Sequence, residues 1–172
     1  LHVADYHAAE RTFQLLTQAV GRAGRGQLPG QAVIQTYDPE HFAIQTAKAQ
    51  DYEAFYQHEI AYRKMMHYPP IWNMLLVHCM GKNEQITQQT AQLMADKLQS
   101  AIKRSGKPVL LVGPADATIA KVNDIYRKVL YMKAADYQTL VALKDALEQF
   151  GKKTNAFSNV TIQFDFNPSS GF

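Results

Sequence analysis

The chain has 172 residues, 47% of them hydrophobic, and a formal net charge of +3. That is enough apolar material for one packed domain, or a small domain with part of another, and too little charge for composition alone to argue a nucleic-acid partner. A lone cysteine, Cys79, excludes an internal disulfide and any multi-cysteine zinc site in this chain, and the absence of a signal-peptide core or a long uncharged apolar stretch predicts a cytoplasmic protein with no membrane partner.

Residues 8–24 read as an amphipathic helix, with Phe13, Leu16 and Val20 on one face. Gln18, Arg22 and Arg25 follow the i, i+4, i+7 spacing and share another face, with Gly21, Gly24 and Gly26 among them. Arginine keeps its charge and offers a planar fork of donors, and glycine lets a ligand approach the backbone, so this pattern suits a phosphate. The plainer reading is a solvated helix end, with Gly24 or Gly26 as a left-handed cap and the arginines near the negative end of the dipole. Pro29-Gly30 then marks a turn, residues 31–37 read as a short strand that buries Val33 and Ile34, and residues 51–67 as a helix with Asp51 as N-cap and Glu59 four residues before Arg63. Tyr68-Pro69-Pro70 ends that helix, whose rings at Tyr52, Phe55, Tyr56 and Tyr62 are expected to pack on a neighbouring unit.

From residue 71 the pattern alternates. Residues 71–80 read as a strand, 84–104 as a helix with Ala91, Met94, Leu98, Ala101 and Ile102 inward, and 109–112 as a buried strand stopped by Gly113-Pro114. A loop or weak strand follows over 118–122, then a strand over 126–133, a helix over 136–150 capped by Gly151, and a strand over 160–166. In the last, Val160, Ile162, Phe164 and Phe166 alternate with polar residues. This order, strand-helix-strand-strand-helix-strand, predicts an α+β (α/β) fold, a ferredoxin-like βαββαβ plait with both helices on one face and the other face open. No RNA-recognition signature stands on its third strand.

The most basic window lies between Lys103 and Lys133. It carries Lys103, Arg104, Lys107, Lys121, Arg127, Lys128 and Lys133 against Asp116 and Asp124. Lys121, Tyr126, Arg127 and Lys128 are the candidate DNA-binding residues: cations pair with phosphates, and Tyr126 or Tyr131 offers a ring for an unpaired base. Ordinary surface decoration is the alternative. His7, His41, His58, His67 and His78 show no ligand spacing, so no metal site is expected, and the serines lack a nucleophile context.

Gln18-Ala-Val-Gly-Arg-Ala-Gly-Arg25 resembles motif VI of superfamily 2 helicases. With residues 10–17 before it and 30–41 after it, the text is similar to the primosomal protein N′ family of bacterial replication-restart helicases, and the likeness extends through Gly113-Pro114, Lys121 and Tyr126-Arg127 to the end of the chain. Ala19-Val20 departs from the larger apolar residue followed by Ala or Ser that the family carries there.

The resemblance implies that residues 1–66 are the C-terminal part of a second RecA-like helicase lobe with its linking helix, and that residues 67–172 are a ferredoxin-like DNA- and partner-binding domain. Arg22 and Arg25 would meet the γ-phosphate, with Gln18 orienting water or an arginine and Gly21, Arg22 and Arg25 contacting nucleotide. The chain lacks a phosphate loop and an acidic magnesium motif and opens on Leu1 rather than Met, so it reads as a fragment without ATPase activity of its own. The full-length family member implies ATP and Mg, zinc in an upstream part outside this chain, and 3′–5′ unwinding at stalled forks. Branched and single-stranded DNA, single-stranded DNA-binding protein, and primosome and helicase-loading proteins are its implied partners. The rival is a non-catalytic ferredoxin-like binding module whose arginines simply cap a helix.

Overall fold

A computed structural model describes residues 5–23 and 31–169. The chain divides into two compact units, one ending at Met66 and the other beginning at His67. Together their described residues form a mixed α+β structure of five helices and a four-stranded antiparallel sheet.

The first unit is helical. It contains α1 (Ala8–Ala23), α2 (Phe42–Ala49) and α3 (Tyr52–Met66). Phe13, Ala43, Ala47 and Phe55 form its apolar centre, with the Phe13 and Phe55 rings stacked at 4.3 Å. Such a ring pair adds about 0.5–1.5 kcal/mol beyond its buried area. Asp51 caps α3 by accepting the Ala54 N–H at 2.9 Å. Phe55 is buried, whereas Tyr52, Tyr56 and Tyr62 keep 64%, 44% and 37% of their surface exposed, so only one of the four rings expected to pack is fully covered.

Two expectations fail in this unit. Residues 31–37 form no strand, and Val33, expected to be buried, is 92% exposed. A strand requires a hydrogen-bonded neighbour, and among the described residues of this unit none is extended beside it. The helix α2 was not expected at all. His41, an unusual cap, accepts the Ala43 N–H at 3.2 Å through Nδ1, and Ala43 and Ala47, four apart, give it a narrow buried stripe. Gly24, Arg25, Gly26 and the Pro29-Gly30 turn lie outside the described residues.

In the second unit the elements run β1 (Asn73–Gly81), α4 (Glu84–Ser105), β2 (Val109–Val122), β3 (Ile125–Ala134), α5 (Tyr137–Thr154) and β4 (Thr161–Phe166). The strands lie in the order β2-β3-β1-β4. Leu75, Val77 and Cys79 of β1 and Leu130 and Met132 of β3 face Met94, Leu98, Leu140, Leu143 and Leu147 of the helices in one core, onto which Ile162, Phe164 and Phe166 pack. Asn83 caps α4 through the Ile86 N–H at 3.0 Å, and Gly106 ends it at φ 64°.

Here too the structure corrects details. Gly113-Pro114 does not stop the strand, because β2 continues to Val122 with a register shift between Val112 and Ala115. Proline is tolerated because β2 is a sheet edge and the missing N–H falls at an irregularity. Gly113 has φ 105°, and a Cβ there would come within 2.7 Å of the Val129 carbonyl oxygen. Residues 109–112 are half-buried or exposed rather than buried. Gly151 is not the cap of α5; the helix runs on to Thr154, with Asn155 left-handed, while Gly151 makes room for the Phe157 ring.

The face of the sheet turned away from the helices is open only in part, with Thr161, Gln163 and Asp165 of β4 exposed on it. Leu76, Val129, Tyr131 and Lys133 alternate with the core residues and are buried, and the Lys133 Nζ lies 3.6 Å from the centre of the Tyr68 ring.

Candidate functional site

The residues singled out by the sequence fall into two groups, one on each unit. In the first, α1 buries Phe13 and leaves Gln18, Gly21 and Arg22 exposed. These three line an open groove of ≈ 490 Å³ together with Phe13, Gln14 and Thr17. The helix period explains this, since positions 14, 17, 18, 21 and 22 fall on neighbouring stripes of one surface. The Thr17 hydroxyl at the groove is buried with no hydrogen-bond partner among the described residues, and Arg22 makes no ion pair among them. Arg25 lies outside the described residues. The groove therefore holds one guanidinium, the two carboxamides of Gln14 and Gln18 and the Thr17 hydroxyl on an apolar floor, chemistry that suits an anion with several oxygens.

The second group sits on the β2–β3 hairpin. Its two-residue turn, Asn123-Asp124, has φ 47° and 59° at the two central positions, the signature of a type I′ turn that keeps the strands twisted together. Lys121 pairs with Tyr126 across the strands, its Nζ 4.9 Å from the ring centre, and forms an ion pair with Asp124 at 2.9 Å. The Asp124 carboxylate in turn holds the Lys121 ammonium above its usual pKa.

Lys128 stands on the same face of β3 as Tyr126, two residues on. Its Nζ binds Asp116 at 2.6 Å, and only 14% of the side chain is exposed. Arg127 points to the opposite face, where burial first and the Arg127 charge second lower the pKa of the half-buried His78, against a raising effect of Asp165. The structure thus brings together Lys121, Tyr126 and Lys128 and sets Arg127 apart. Tyr131, offered as an alternative stacking ring, is 3% exposed and unavailable.

Two features of these sites escaped the sequence reading. Asp116 and Asp124 were visible as the acidic residues of the basic window, but their pairing with Lys128 and Lys121 depends on cross-strand register. The other is a charge network at the first turn of α1, in which the buried Arg63 binds Glu59 and also reaches Glu10, 53 residues away in sequence. Elsewhere in the basic window, Lys107 is tied to Asp136 and to the Thr139 hydroxyl.

Cys79 is buried, and burial pushes its thiol up to about 11, as a core residue requires. Among the described residues no group of three His, Cys, Asp or Glu side chains is placed to hold a metal ion, and no helix is long and apolar enough to cross a membrane.

The described residues thus form a helical unit that presents Gln18 and Arg22 at a groove and an α+β unit whose β2–β3 hairpin carries Lys121, Tyr126 and Lys128 together. Residues 64–169 match the model of the family described as primosomal protein N C-terminal domain, and the chain belongs to that family. It is 39% identical to replication restart protein PriA of Bacillus subtilis over 169 residues, covering 98% of this chain and 20% of that protein. Its identity to the replication restart protein PriA of Synechocystis sp. is 37% (99% of this chain, 20% of that one), and to that of Chlamydia trachomatis 44% (100% and 22%). The chain thus spans about a fifth of the length of these relatives.

Proposed function

We propose that the chain is the C-terminal part of an ATP-dependent 3′–5′ DNA helicase that recognises stalled or branched replication forks and restarts replication through primosome assembly. The observation that carries this reading is the match to replication restart proteins over nearly the whole chain. The helical unit is the end of a second RecA-like lobe, and the strand order β2-β3-β1-β4, with α4 and α5 sharing one core, supports a ferredoxin-like plait for the other.

In the intact enzyme, Arg22 and Arg25 stabilise the charge that develops on the γ-phosphate, and Gln18 orients the attacking water or a neighbouring arginine. The exposure of Gln18, Gly21 and Arg22 at one groove supports this. ATP with Mg is completed by segments outside this chain, as is the family's zinc. The hairpin cations contact the backbone of branched or single-stranded DNA, and the rest of the sheet unit meets single-stranded DNA-binding protein and the primosome and helicase-loading proteins. A cytoplasmic location fits these partners.

Replacing Arg22 by Ala in the full-length enzyme is expected to lower DNA-stimulated turnover by roughly a thousandfold while DNA binding persists. An unchanged turnover number excludes the assignment. The chain itself is expected to bind forked DNA weakly, with affinity falling steeply as salt rises, and to lose most of it when Lys121 and Lys128 are changed to Ala. Because Lys121 and Lys128 already carry carboxylate partners, a non-catalytic protein-binding module is the second reading. Binding that is absent or indifferent to salt favours that module.

A further inference from the structure

Most of the groove side of α1 is exposed, but at the first turn Glu10, on the same stripe as Gln14, Thr17 and Gly21, is held by a charge network centred on a buried arginine. Arg63 of α3 is 9% exposed; its Nε donates to Glu59 Oε1 at 2.8 Å, and its Nη2 donates to Glu10 Oε2 at 2.9 Å and to the Tyr6 carbonyl at 3.3 Å. Its guanidinium also lies 5.4 Å from the centre of the Tyr6 ring, and the His7 Nδ1 is 3.0 Å from the same Glu10 oxygen. We propose that Arg63 and Glu10 form a clamp that sets the direction of α1 and thereby positions Gln18 and Arg22, which makes both of them positioning residues for the phosphate site. The inference rests on the reading of Arg22 given above.

The geometry favours orientation over bulk stability. Glu10 contacts Arg63 at one end of α1, the Phe13–Phe55 stack acts as a pivot one turn further on, and beyond Leu16 the helix is largely exposed. Arg22 stands twelve residues after Glu10, about 18 Å along the axis at 1.5 Å per residue. A tilt of about 5° about the Phe13 pivot, nine residues or about 13.5 Å from Arg22, then moves Arg22 by roughly 1.2 Å. Misplacement of a transition-state group by about 1 Å costs on the order of a hundredfold in rate. The fork of a guanidinium is suited to such a clamp because its donors are rigidly spaced, so it fixes angle as well as distance. Burial opposes the charges of both partners, yet the hydrogen bonds win: Glu10 is held below and Arg63 above its ordinary pKa.

Removing Arg63 would strand Glu59, whose second carboxylate oxygen is already buried without a hydrogen-bond partner among the described residues, so the test uses Glu10. In the full-length enzyme Glu10→Gln keeps the shape and weakens the charge-assisted contact, and Glu10→Ala removes it. The expected result is a fall in kcat of about tenfold for Glu10→Gln and about a hundredfold for Glu10→Ala, with the KM for ATP within twofold of wild type. Unchanged kcat per folded molecule, with only the yield or melting temperature lowered, overturns the clamp. Arg22→Ala measured alongside separates the two claims. If Arg22→Ala is inactive and both Glu10 variants turn over normally, the clamp alone fails; if Arg22→Ala turns over normally, the underlying reading fails and the clamp with it.

Discussion

The two units each bury a cation, and they do so in opposite ways. Arg63 in the helical unit sits among carboxylates, which hold its pKa up against burial. Lys133 in the sheet unit lies over the Tyr68 ring, and burial brings its pKa down to about 8. The apolar cores differ in the same sense. Phe13, Ala43, Ala47 and Phe55 make a small centre for three helices, whereas the sheet unit closes a continuous core between the inward faces of α4 and α5 and one face of its four strands. Where apolar area is large, many side chains share the task of fixing geometry. In the small helical unit, directional polar contacts carry it, and single atoms matter more.

The sharpest way to break that comparison is to remove a core residue from the sheet unit. Leu98 is 1% exposed and packs against strands and α5. Leu98→Ala is expected to cost about 2–5 kcal/mol in urea denaturation followed by circular dichroism. A loss below 1 kcal/mol would mean that the sheet unit repacks as readily as a molten core. A smaller effect is expected at Gly151, where any Cβ meets the Phe157 ring; Gly151→Ala should cost about 1–3 kcal/mol even though alanine is the better helix former. Stabilisation instead would show that Phe157 moves aside freely.

Lys133 gives a test in pH. Its folded pKa of about 8 lies below an unfolded value of about 10.4, so between those values the unfolded chain holds more protons and stability rises with pH. Below pH 8 the ammonium is charged in both states and the burial penalty is at its full size. Wild type is therefore expected to melt higher at pH 10 than at pH 7.5, relative to Lys133→Met, which lacks this slope and melts above wild type at pH 7.5. Parallel curves for the two proteins would show that Lys133 keeps its ordinary pKa.

The same contrast explains what could be read in the sequence. The helix α4 was legible because Ala91, Met94, Leu98 and Ile102 repeat at helical spacing, and β4 because alternation over Ile162, Phe164 and Phe166 has one interpretation. Local signals misled where a distant partner decides. Val33-Ile34 has the composition of a strand, yet nothing among the described residues of its unit pairs with it; Pro114 looks like a terminator, yet an edge position accommodates it. The candidate sites divide similarly. That Gln18 and Arg22 share a surface follows from the period of α1, but the Arg63–Glu10 contact joins residues whose separation carries no pattern. Arg127 and Lys128 are neighbours in the chain, and only the alternation of β3 puts them on opposite faces.

The smallest predicted effect lies at the hairpin. If Lys121 and Lys128 contact phosphates, Asp124 and Asp116 compete with the DNA for them. Neutralising Asp124 by Asn leaves the turn intact, since asparagine also tolerates the left-handed conformation that residue 124 adopts at φ 59°. It frees an exposed ammonium, and screened surface charges are weak, so affinity for forked DNA should rise only about two- to threefold at low salt. The salt dependence is the sharper readout. Each additional phosphate neutralised steepens the slope of log affinity against log salt by about 0.7–0.9, so the Asp124→Asn slope should exceed wild type by about that amount if Lys121 is freed to engage a phosphate. An identical slope would place the DNA contact elsewhere on the sheet unit, with Arg127 on the opposite face as the next residue to change.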